Sequence, residues 1–405
     1  MSDHSSLPNR SLPNRAVSRR GFLSTAGAAA AGAALGPAAA AVDAADRTVP
    51  VATLGKTGEK VSVLSAGTAF NITPITMRAF DVEGIRYIDT AQSYNKGNSE
   101  KAVGDWFEKS GKRDQTFLVT KCGNHDPVAW TAALSGSLES LKTDRVDLYF
   151  MHNLKNPDLL TADMKAAQQR LKKENKIRFF GFSSHDKRVI ELLERAPEVG
   201  YVDAIMFRYS FRDFGNERMK AAIDKCHAAG IGLIAMKTQG GRGGGAEPTE
   251  WPGFNRHQAA LKAMWQDERI TACCSEMSSI QHVRENADAA RKGPRMGWLE
   301  RQHEGELLRQ HAEATSHLVC RGCSHLCESR VDADTAVGDI LRFRMYHDEY
   351  GKRRDARRLF RDLPEAQRQI SNVDFAAAEA ACPHGLAIGS MMRDADSKLS
   401  DSKLS

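Results

Sequence analysis

Four polar side chains each follow a short apolar run of the sequence and are of types that carry out proton chemistry. Asp89 and Tyr94 come after one run, Lys121 after the next and His152 after the one beyond it. A tyrosine phenol is a weak acid, a nearby ammonium lowers its pKa, and a carboxylate orients the ammonium and keeps it charged. A histidine beside the phenol can hydrogen-bond the same substrate oxygen. The set predicts a proton donor to a carbonyl oxygen.

Taken singly, each of these side chains has an ordinary structural interpretation. Asp89 fits a helix cap, Tyr94 a loop aromatic residue, Lys121 a solvated rim and His152 a core histidine with satisfied hydrogen bonds. Their joint position after three consecutive runs favours the chemical interpretation, because the carboxyl ends of the parallel strands of a barrel open onto one mouth.

The elements that must position these residues alternate between short strands and amphipathic helices. The predicted strands lie near Val61–Leu64, Tyr87–Ile88, Thr116–Thr120, Val146–Phe150, Ile177–Gly181, Ala204–Phe207, Gly232–Ala235 and Thr271–Cys274. Eight such units predict an α/β fold, a (β/α)8 TIM barrel with a small C-terminal α-helical module that contains cysteines. No Gly-x-Gly-x-x-Gly follows the first strand, which disfavours an open dinucleotide-binding sheet. Residues 51–61, with glycines at both turn positions, predict a hairpin that closes the barrel floor.

The composition excludes several classes of protein. Of 405 residues, 41% are hydrophobic and 27% charged, which fits one or two globular domains and not a mainly disordered chain. The net charge of +6 is spread along the sequence without a long basic block, so nucleic acid is not an expected partner.

The N-terminus looks like a twin-arginine export signal. Ser18-Arg19-Arg20-Gly21-Phe22-Leu23 opens an Ala- and Gly-rich stretch that ends at Val42, with small residues at Ala39 and Ala41 for cleavage. The stretch has few large apolar residues and would insert poorly into a bilayer. No stable membrane anchor is therefore expected. The predicted destination is the periplasm or another exported location. The predicted segments are a signal peptide at 1–41, the barrel at 48–315, a helical tail at 316–395 and a disordered tail at 396–405.

Four cysteines after the barrel have metal-ligand spacing. Cys320, Cys323 and Cys327 fall within eight positions, and Cys382 follows about fifty-five residues later, before a proline. Four thiolates hold a [4Fe–4S] cluster, and the same ligands accept zinc in a tetrahedral arrangement. In an oxidising compartment they can instead form two disulfides.

The sequence resembles the aldo-keto reductases over about Val51 to Asn286. The motifs that carry the resemblance are Leu54-Gly55-Lys56-Thr57-Gly58, Gly84-Ile85-Arg86-Tyr87-Ile88-Asp89-Thr90-Ala91, Asn98-Ser99-Glu100 with Gly104, Val119-Thr120-Lys121, Asp147-Leu148-Tyr149 and Lys176-Ile177-Arg178-Phe179-Phe180-Gly181-Phe182-Ser183. The resemblance implies that Asp89, Tyr94, Lys121 and His152 form the family's catalytic tetrad. It also implies hydride transfer between a nicotinamide, NAD or NADP, and a small carbonyl or sugar-like substrate, with Tyr94 as the general acid.

The cofactor site implied by the resemblance departs from the family's pattern. Ser183-Ser184 stands where the family has Ser-Asn. Around the sixth-strand Tyr the family has Gln and Asn, whereas this chain reads Met206-Phe207-Arg208-Tyr209-Ser210, and Arg208 is a predicted cofactor residue. Glu285-Asn286 remains of the closing pattern. His282 and Glu276 fall where the family places basic residues that grip a 2′-phosphate, and a carboxylate there disfavours NADPH.

A glycine-rich run follows the seventh strand. It includes Gly241 and could wrap a pyrophosphate, and a plain flexible loop is an equal interpretation.

The tail resembles a two-cluster ferredoxin module that has lost one cluster, with Cys320, Cys323, Cys327 and Cys382 as the remaining ligand set. Such a tail occurs on a subset of aldo-keto reductases. The sequence therefore predicts an exported reductase of this type with one iron-sulfur cluster. The rival is a catalytically altered barrel that acts as an electron-transfer or binding protein with a partner.

Overall fold

Short apolar segments pair into a closed parallel barrel. The computed structural model describes residues 48–69, 72–186, 188–240 and 254–400. The barrel strands are β3 (Leu64–Gly67), β4 (Tyr87–Asp89), β5 (Phe117–Cys122), β6 (Val146–Met151), β7 (Ile177–Ser184), β8 (Ala204–Arg208), β9 (Gly232–Met236) and β10 (Ala272–Glu276). Each strand pairs in parallel with the next, and β10 pairs with β3 to close the ring. The predicted (β/α)8 barrel is confirmed.

Helices cover the outside of the ring because the strands bury both faces. They are α1 (Pro74–Val82), α2 (Asn98–Ser110), α3 (Pro127–Ser140), α4 (Ala162–Lys173), α5 (Val189–Val199), α6 (Glu217–Ala228), α7 (Arg256–Met264), α8 (Ile280–Lys292) and α9 (Trp298–Ala314). Side chains such as Leu118, Tyr149 and Phe180 point outward into the core between strands and helices. Val119, Leu148 and others fill the interior of the barrel.

The predicted hairpin is present and closes the barrel floor. Strand β1 (Val51–Thr53) pairs antiparallel with β2 (Lys60–Ser62). The first barrel strand begins at Leu64, three residues later than the sequence predicts. The Ser62 hydroxyl accepts from the Tyr87 N–H and donates to the Leu64 carbonyl, which separates the hairpin ladder from the barrel ladder.

The residues after the barrel fold into a helical module with a core of its own. Its helices are α10 (Ser324–Glu328), α11 (Val337–Asp348), α12 (Arg353–Arg361), α13 (Ala376–Ala380) and α14 (Ile388–Leu399). Ile340, Phe343, Phe360 and Met392 are among the side chains buried in it. We call residues 316–400 the C-terminal module.

The last helix corrects the predicted start of a disordered tail at 396. Helix α14 continues to Leu399, whose side chain is 1% exposed in the core of the module. Burial of this apolar side chain stabilises the last turn of the helix. The remaining five positions, 401–405, lie outside the described residues, as does the predicted signal peptide at 1–41. Among the described helices, none has the length and apolar character needed to cross a bilayer.

Candidate active site

The four residues of the predicted tetrad meet at the carboxyl ends of three neighbouring strands. Asp89 ends β4, Lys121 is the penultimate residue of β5 and His152 directly follows β6. Tyr94 opens a short turn after β4, in which Asn95 adopts a left-handed backbone conformation. The structure therefore brings together all four side chains that the sequence singles out.

Lys121 is the centre of the hydrogen-bond arrangement. Its Nζ atom donates to Asp89 Oδ2 and to the Thr90 carbonyl, each at 2.7 Å, and lies 3.3 Å from Tyr94 Oη. Lys121 and Asp89 are 1% and 2% exposed, so the ion pair is shielded from water. An ammonium has three hydrogens and no lone pair, which makes Tyr94 Oη an acceptor in its contact with Lys121. The phenol hydrogen is left to point at another group.

The charge states of the pair follow from burial and proximity. Burial favours the neutral amine of Lys121, but Asp89 and Tyr94 outweigh it and raise the pKa of the ammonium. Burial raises the pKa of Asp89, and the charge of Lys121 opposes that rise. Burial also raises the pKa of Tyr94 and outweighs the lowering by Lys121. Lys121 thus lowers the phenol pKa as the residue types predict, but removal from water has the larger effect and the net shift is upward.

His152 is a neutral hydrogen-bonding group. Burial, followed by the charge of Lys121, lowers its pKa to about 3. Its ring meets the ring of Tyr94 edge to face, with the centroids 5.4 Å apart. A neutral imidazole and a protonated phenol can each donate one hydrogen bond, so a carbonyl oxygen held between the two rings can accept from both.

The two serines predicted to bind the cofactor hold the backbone next to His152. Ser183 Oγ accepts from the Asn153 N–H at 3.1 Å, and Ser184 Oγ donates to the Leu154 carbonyl at 2.7 Å. Both serines are buried at the end of β7. Their hydroxyls thus fix the loop after β6, and their role toward a cofactor remains a prediction.

The other predicted cofactor residues also have partners within the chain. Arg208 Nη1 lies 3.4 Å from Asp213 Oδ1, and its Nε would stand 3.3 Å from a Cβ at Gly322 of the C-terminal module. Glu285 accepts from Asn255, and Asn286 bridges Gln239 and Ser275 at 3.0 Å each. Gly241 lies outside the described residues.

The C-terminal module supplies residues at the mouth that the sequence did not indicate. Tyr346 of α11 accepts a hydrogen bond from Lys237 Nζ at 3.0 Å, and Arg342 of α11 donates to His185 Nδ1 at 2.7 Å. Lys352 pairs with Glu276 at 3.3 Å. Lys237 directly follows β9 and His185 directly follows β7. Their position just past a strand end, which singles out Lys121 and His152, could therefore have predicted them as well.

The four tail cysteines line one small cavity of the C-terminal module. Cys320, Cys323, Cys327 and Cys382 all border it. All four are free thiols, and burial raises the pKa of Cys320 to about 11 and of Cys327 to about 12. Within the described residues, no three His, Cys, Asp or Glu side chains are arranged as a metal-binding group. The spacing brings the cysteines together without showing a metal centre.

Comparison with known sequences decides the family. The sequence profile described as the Aldo/keto reductase family matches residues 63–291, more than half of the chain. The chain belongs to this family. Its match to the aldo-keto reductase str7 of Strobilurus tenacellus is 29% identical over 199 residues and covers 47% of this chain and 56% of the relative. The NADH-specific methylglyoxal reductase of Escherichia coli is 32% identical over 152 residues, which cover 32% of this chain and 45% of the relative.

This aldo/keto reductase spans about half the length of the curated relatives that it matches. Solved structures share its barrel. The aldo-keto reductase AKR11C1 from Bacillus halodurans, in its holo form, aligns with a TM-score of 0.54 at 24% identity and covers 64% of this chain and 96% of its own. An aldo-keto reductase from Klebsiella pneumoniae in complex with NADPH aligns with the same TM-score at 23% identity, over 64% of this chain and 95% of its own. At this identity the likeness concerns the fold.

Proposed function

We propose that this aldo/keto reductase reduces the carbonyl group of a small molecule, or oxidises the corresponding alcohol, with NAD or NADP as the hydride carrier. The observation that carries the proposal is the contact of Lys121 Nζ with both Asp89 and Tyr94 Oη. It leaves the phenol hydrogen of Tyr94 available for the substrate oxygen, because the ammonium occupies the other side of that atom.

The described residues fit a nicotinamide beside the tetrad. The Oδ1 atom of Asn153 is buried next to His152 and has no hydrogen-bond donor among the described residues, and an unsatisfied amide oxygen is an acceptor for a carboxamide N–H. Asn153, Ser183 and Ser184 would hold the ring end of the dinucleotide. When bound, the reduced nicotinamide supplies the hydride that the carbonyl carbon receives.

The chain's own residues handle the proton. Tyr94 and the neutral His152 bind the carbonyl oxygen and orient it. As negative charge develops on that oxygen, Tyr94 transfers its hydroxyl proton to it. The Lys121 ammonium then stabilises the phenolate of Tyr94, because it lies 3.3 Å from the phenol oxygen and its own charge is held by Asp89. In the opposite direction the phenolate takes the proton of an alcohol.

The cysteine cavity is proposed to hold one [4Fe–4S] cluster, with Cys320, Cys323, Cys327 and Cys382 as ligands. Four thiols around one cavity are the donor set that iron-sulfur clusters use. Arg208 and Arg321 lie close enough for their charges to affect the Cys323 thiol, and positive charge suits an anionic cluster. Zinc is the alternative metal for the same ligands.

Export by the twin-arginine route to the periplasm remains part of the proposal, with residues 1–41 as the signal peptide. Its support is the Arg19-Arg20 pair before an Ala- and Gly-rich stretch. A protein exported in the folded state could carry its nucleotide and its cluster with it.

A second function, an altered barrel that transfers electrons or binds a partner, is favoured by the contacts of the C-terminal module. Tyr346 and Lys352 contact Lys237 and Glu276 at the ends of β9 and β10. The Tyr350 hydroxyl lies against Gly240 in the same region, where a Cβ would stand 3.1 Å from it. These contacts narrow the side of the mouth that the family uses for its cofactor.

A nucleotide assay separates the two functions. The purified full chain is denatured and the supernatant is tested for NAD or NADP, and the native protein is tested for oxidation of NADH and NADPH that depends on an added aldehyde. The proposed function predicts aldehyde-dependent oxidation of at least one of them. If the protein releases no nucleotide and turns over none of a range of aldehydes, the proposed function is contradicted and the electron-transfer alternative is favoured.

A further inference from the structure

A large cavity lies between the carboxyl ends of the barrel strands and the C-terminal module. Its volume is about 800 Å³, which lies in the range of pockets that bind small molecules. Loops after β6 to β9 form one wall, and α10, α11 and their connections form the other. The tetrad does not line it, but His185 does, at the end of the strand whose Ser183 holds the loop of His152. The cavity therefore borders the loop that begins at His152, to which Lys155 and Asn156 of its wall also belong.

The wall of this cavity carries an excess of positive charge. Eight Lys and Arg side chains line it against six Asp and Glu side chains. The excess is clearest at the mouth, where Lys237 makes no ion pair with a described carboxylate and has the Tyr346 hydroxyl as its hydrogen-bond partner. The Lys237 ammonium also lies over the Tyr346 ring, 5.0 Å from its centroid. A cation in such a place is stabilised when an anion meets it.

A second cation stands next to Lys237. Arg342 donates to His185 Nδ1 at 2.7 Å, and its Nη2 pairs with Asp339 at 2.8 Å one turn earlier in α11. Because His185 Nδ1 accepts this bond from a guanidinium, the ring is neutral and does not offset the charge. Burial favours the neutral Tyr346 phenol, but the charges of Lys237 and Arg342 outweigh it and lower the pKa of the phenol. Two carboxylates lie near these cations: Asp339 pairs with Arg342, and Glu276 pairs with Lys352 while it also feels the charge of Lys237. The three cations therefore exceed the two carboxylates by one charge.

The backbone at Lys237 has an uncommon conformation. Lys237 follows β9 with φ of +60°, a left-handed conformation that side chains other than glycine rarely adopt. Such strain persists where the surrounding structure requires a particular side-chain position. Burial and the charge of Lys121 lower the pKa of His152 most, and the charge of Lys237 adds to the lowering, so the two side chains lie on the same side of the barrel mouth.

We infer that the substrate of this enzyme carries a carboxylate, which Lys237 and Arg342 bind in the cavity while its carbonyl group lies at Tyr94. The inference rests on the proposed function and adds the substrate class to it. The carboxylate accepts hydrogen bonds from the Lys237 ammonium, the Tyr346 hydroxyl and an N–H group of the Arg342 guanidinium, whose Nε has no hydrogen-bond partner among the described residues. The C-terminal module therefore selects the substrate, because Arg342 and Tyr346 both belong to α11.

The test uses two aldehydes that differ in one group, 4-carboxybenzaldehyde and benzaldehyde. Their binding to the full-length protein is measured by calorimetry without dinucleotide, so that the result does not depend on turnover. The wild type is expected to bind the carboxylated aldehyde more tightly than benzaldehyde. Lys237→Met, which removes the charge and keeps the length of the side chain, should weaken its binding about tenfold or more. Arg342→Gln should weaken it severalfold, and Lys237→Arg should restore part of the preference.

Lys165→Met is the matched control, because Lys165 is exposed on α4 outside the cavity and its loss removes the same charge. Thermal melts establish that each variant folds, and Arg342→Gln carries the test if Lys237→Met does not. Equal binding of the two aldehydes by the wild type, or unchanged preference in both variants, would overturn the inference.

Dinucleotide phosphates are the other source of negative charge, and NADH titration distinguishes them. Weakened NADH binding by Lys237→Met with unchanged binding of 4-carboxybenzaldehyde would assign the cations to the cofactor and overturn the inference. Carboxylate-dependent binding without aldehyde reduction would contradict the proposed function and leave the carboxylate site standing.

Discussion

Each of the three ammonium hydrogens of Lys121 faces an acceptor. Two go to Asp89 and Thr90, and the third faces Tyr94 Oη. This arrangement explains how a phenol with a raised pKa can still act as an acid. The proton stays on Tyr94 until charge develops on the substrate oxygen, and the phenolate then forms beside a fixed cation.

The charge states of Tyr94 and His152 predict a flat pH profile. Burial raises the pKa of Tyr94, so the phenol is protonated below its ordinary titration near 10. Burial and Lys121 lower the pKa of His152 to about 3, so the ring is neutral above that pH. Neither group changes charge between about pH 6 and about pH 9, and kcat for carbonyl reduction should vary little there. A loss of kcat with a midpoint near 6.5 would show that His152 titrates as an ordinary histidine.

The sequence predicts the tetrad because each of its members lies at or just past a strand end. It does not predict the partners that the fold brings from far along the chain. Lys237 could have been predicted in the same way, because it directly follows a strand, but Tyr346 and Arg342 lie inside a helix whose sequence gives no local sign that it packs on the barrel. The upward direction of the Tyr94 pKa shift could not be predicted either, because burial, which the sequence does not give, outweighs the charge of Lys121.

At the scale of secondary-structure elements, the two turn glycines of the hairpin have different functions. Its turn glycines were predicted, and the structure adds that they have different surroundings. Gly55 has φ of +50°, and a Cβ there would lie 2.4 Å from the Gly230 carbonyl oxygen and from the Gly232 N atom. Gly58 has φ of +75° with open space around it. The first glycine therefore permits the close approach of the hairpin to β9.

Alanine at these two glycines should separate strain from overlap. Gly58→Ala should cost about 1 kcal/mol of unfolding free energy, because alanine disfavours the left-handed conformation. Gly55→Ala should cost at least about 1 to 3 kcal/mol more, because the hairpin must also move away from β9. Urea denaturation of the two variants measures the difference. Equal losses would show that the approach of the hairpin to β9 does not depend on the missing side chain.

At the scale of the whole molecule, the C-terminal module is the part that this chain has in addition to the barrel. Its core is separate from the barrel core, and it contains all four clustered cysteines. It also reaches back to the mouth, through Arg342, Tyr346 and Lys352. A metal or cluster bound by Cys382 and the first three cysteines would stabilise the module, and with it the contacts that the module makes at the mouth.

Loss of Cys382 tests this dependence. In anaerobically prepared protein, Cys382→Ala should lose its brown chromophore, iron and sulfide, and residues 316–400 should become sensitive to protease while the barrel stays folded. Cys226→Ala is the matched control, because this thiol contacts the Leu193 carbonyl on the outside of the barrel. A preparation with zinc and no iron, or a Cys382→Ala variant with a full cluster, would show that the metal or the fourth ligand is wrong.

The most direct test of the central claim is the turnover of Tyr94→Phe in aldehyde-dependent oxidation of NADH or NADPH. This change removes the phenol hydroxyl and leaves the ring against His152. The expected result is a fall in kcat on the order of a hundredfold or more with dinucleotide binding retained. Tyr201→Phe, which removes the hydroxyl that donates to the Thr161 carbonyl, should keep its turnover. Wild-type turnover in Tyr94→Phe would contradict the assignment of Tyr94 as the proton donor.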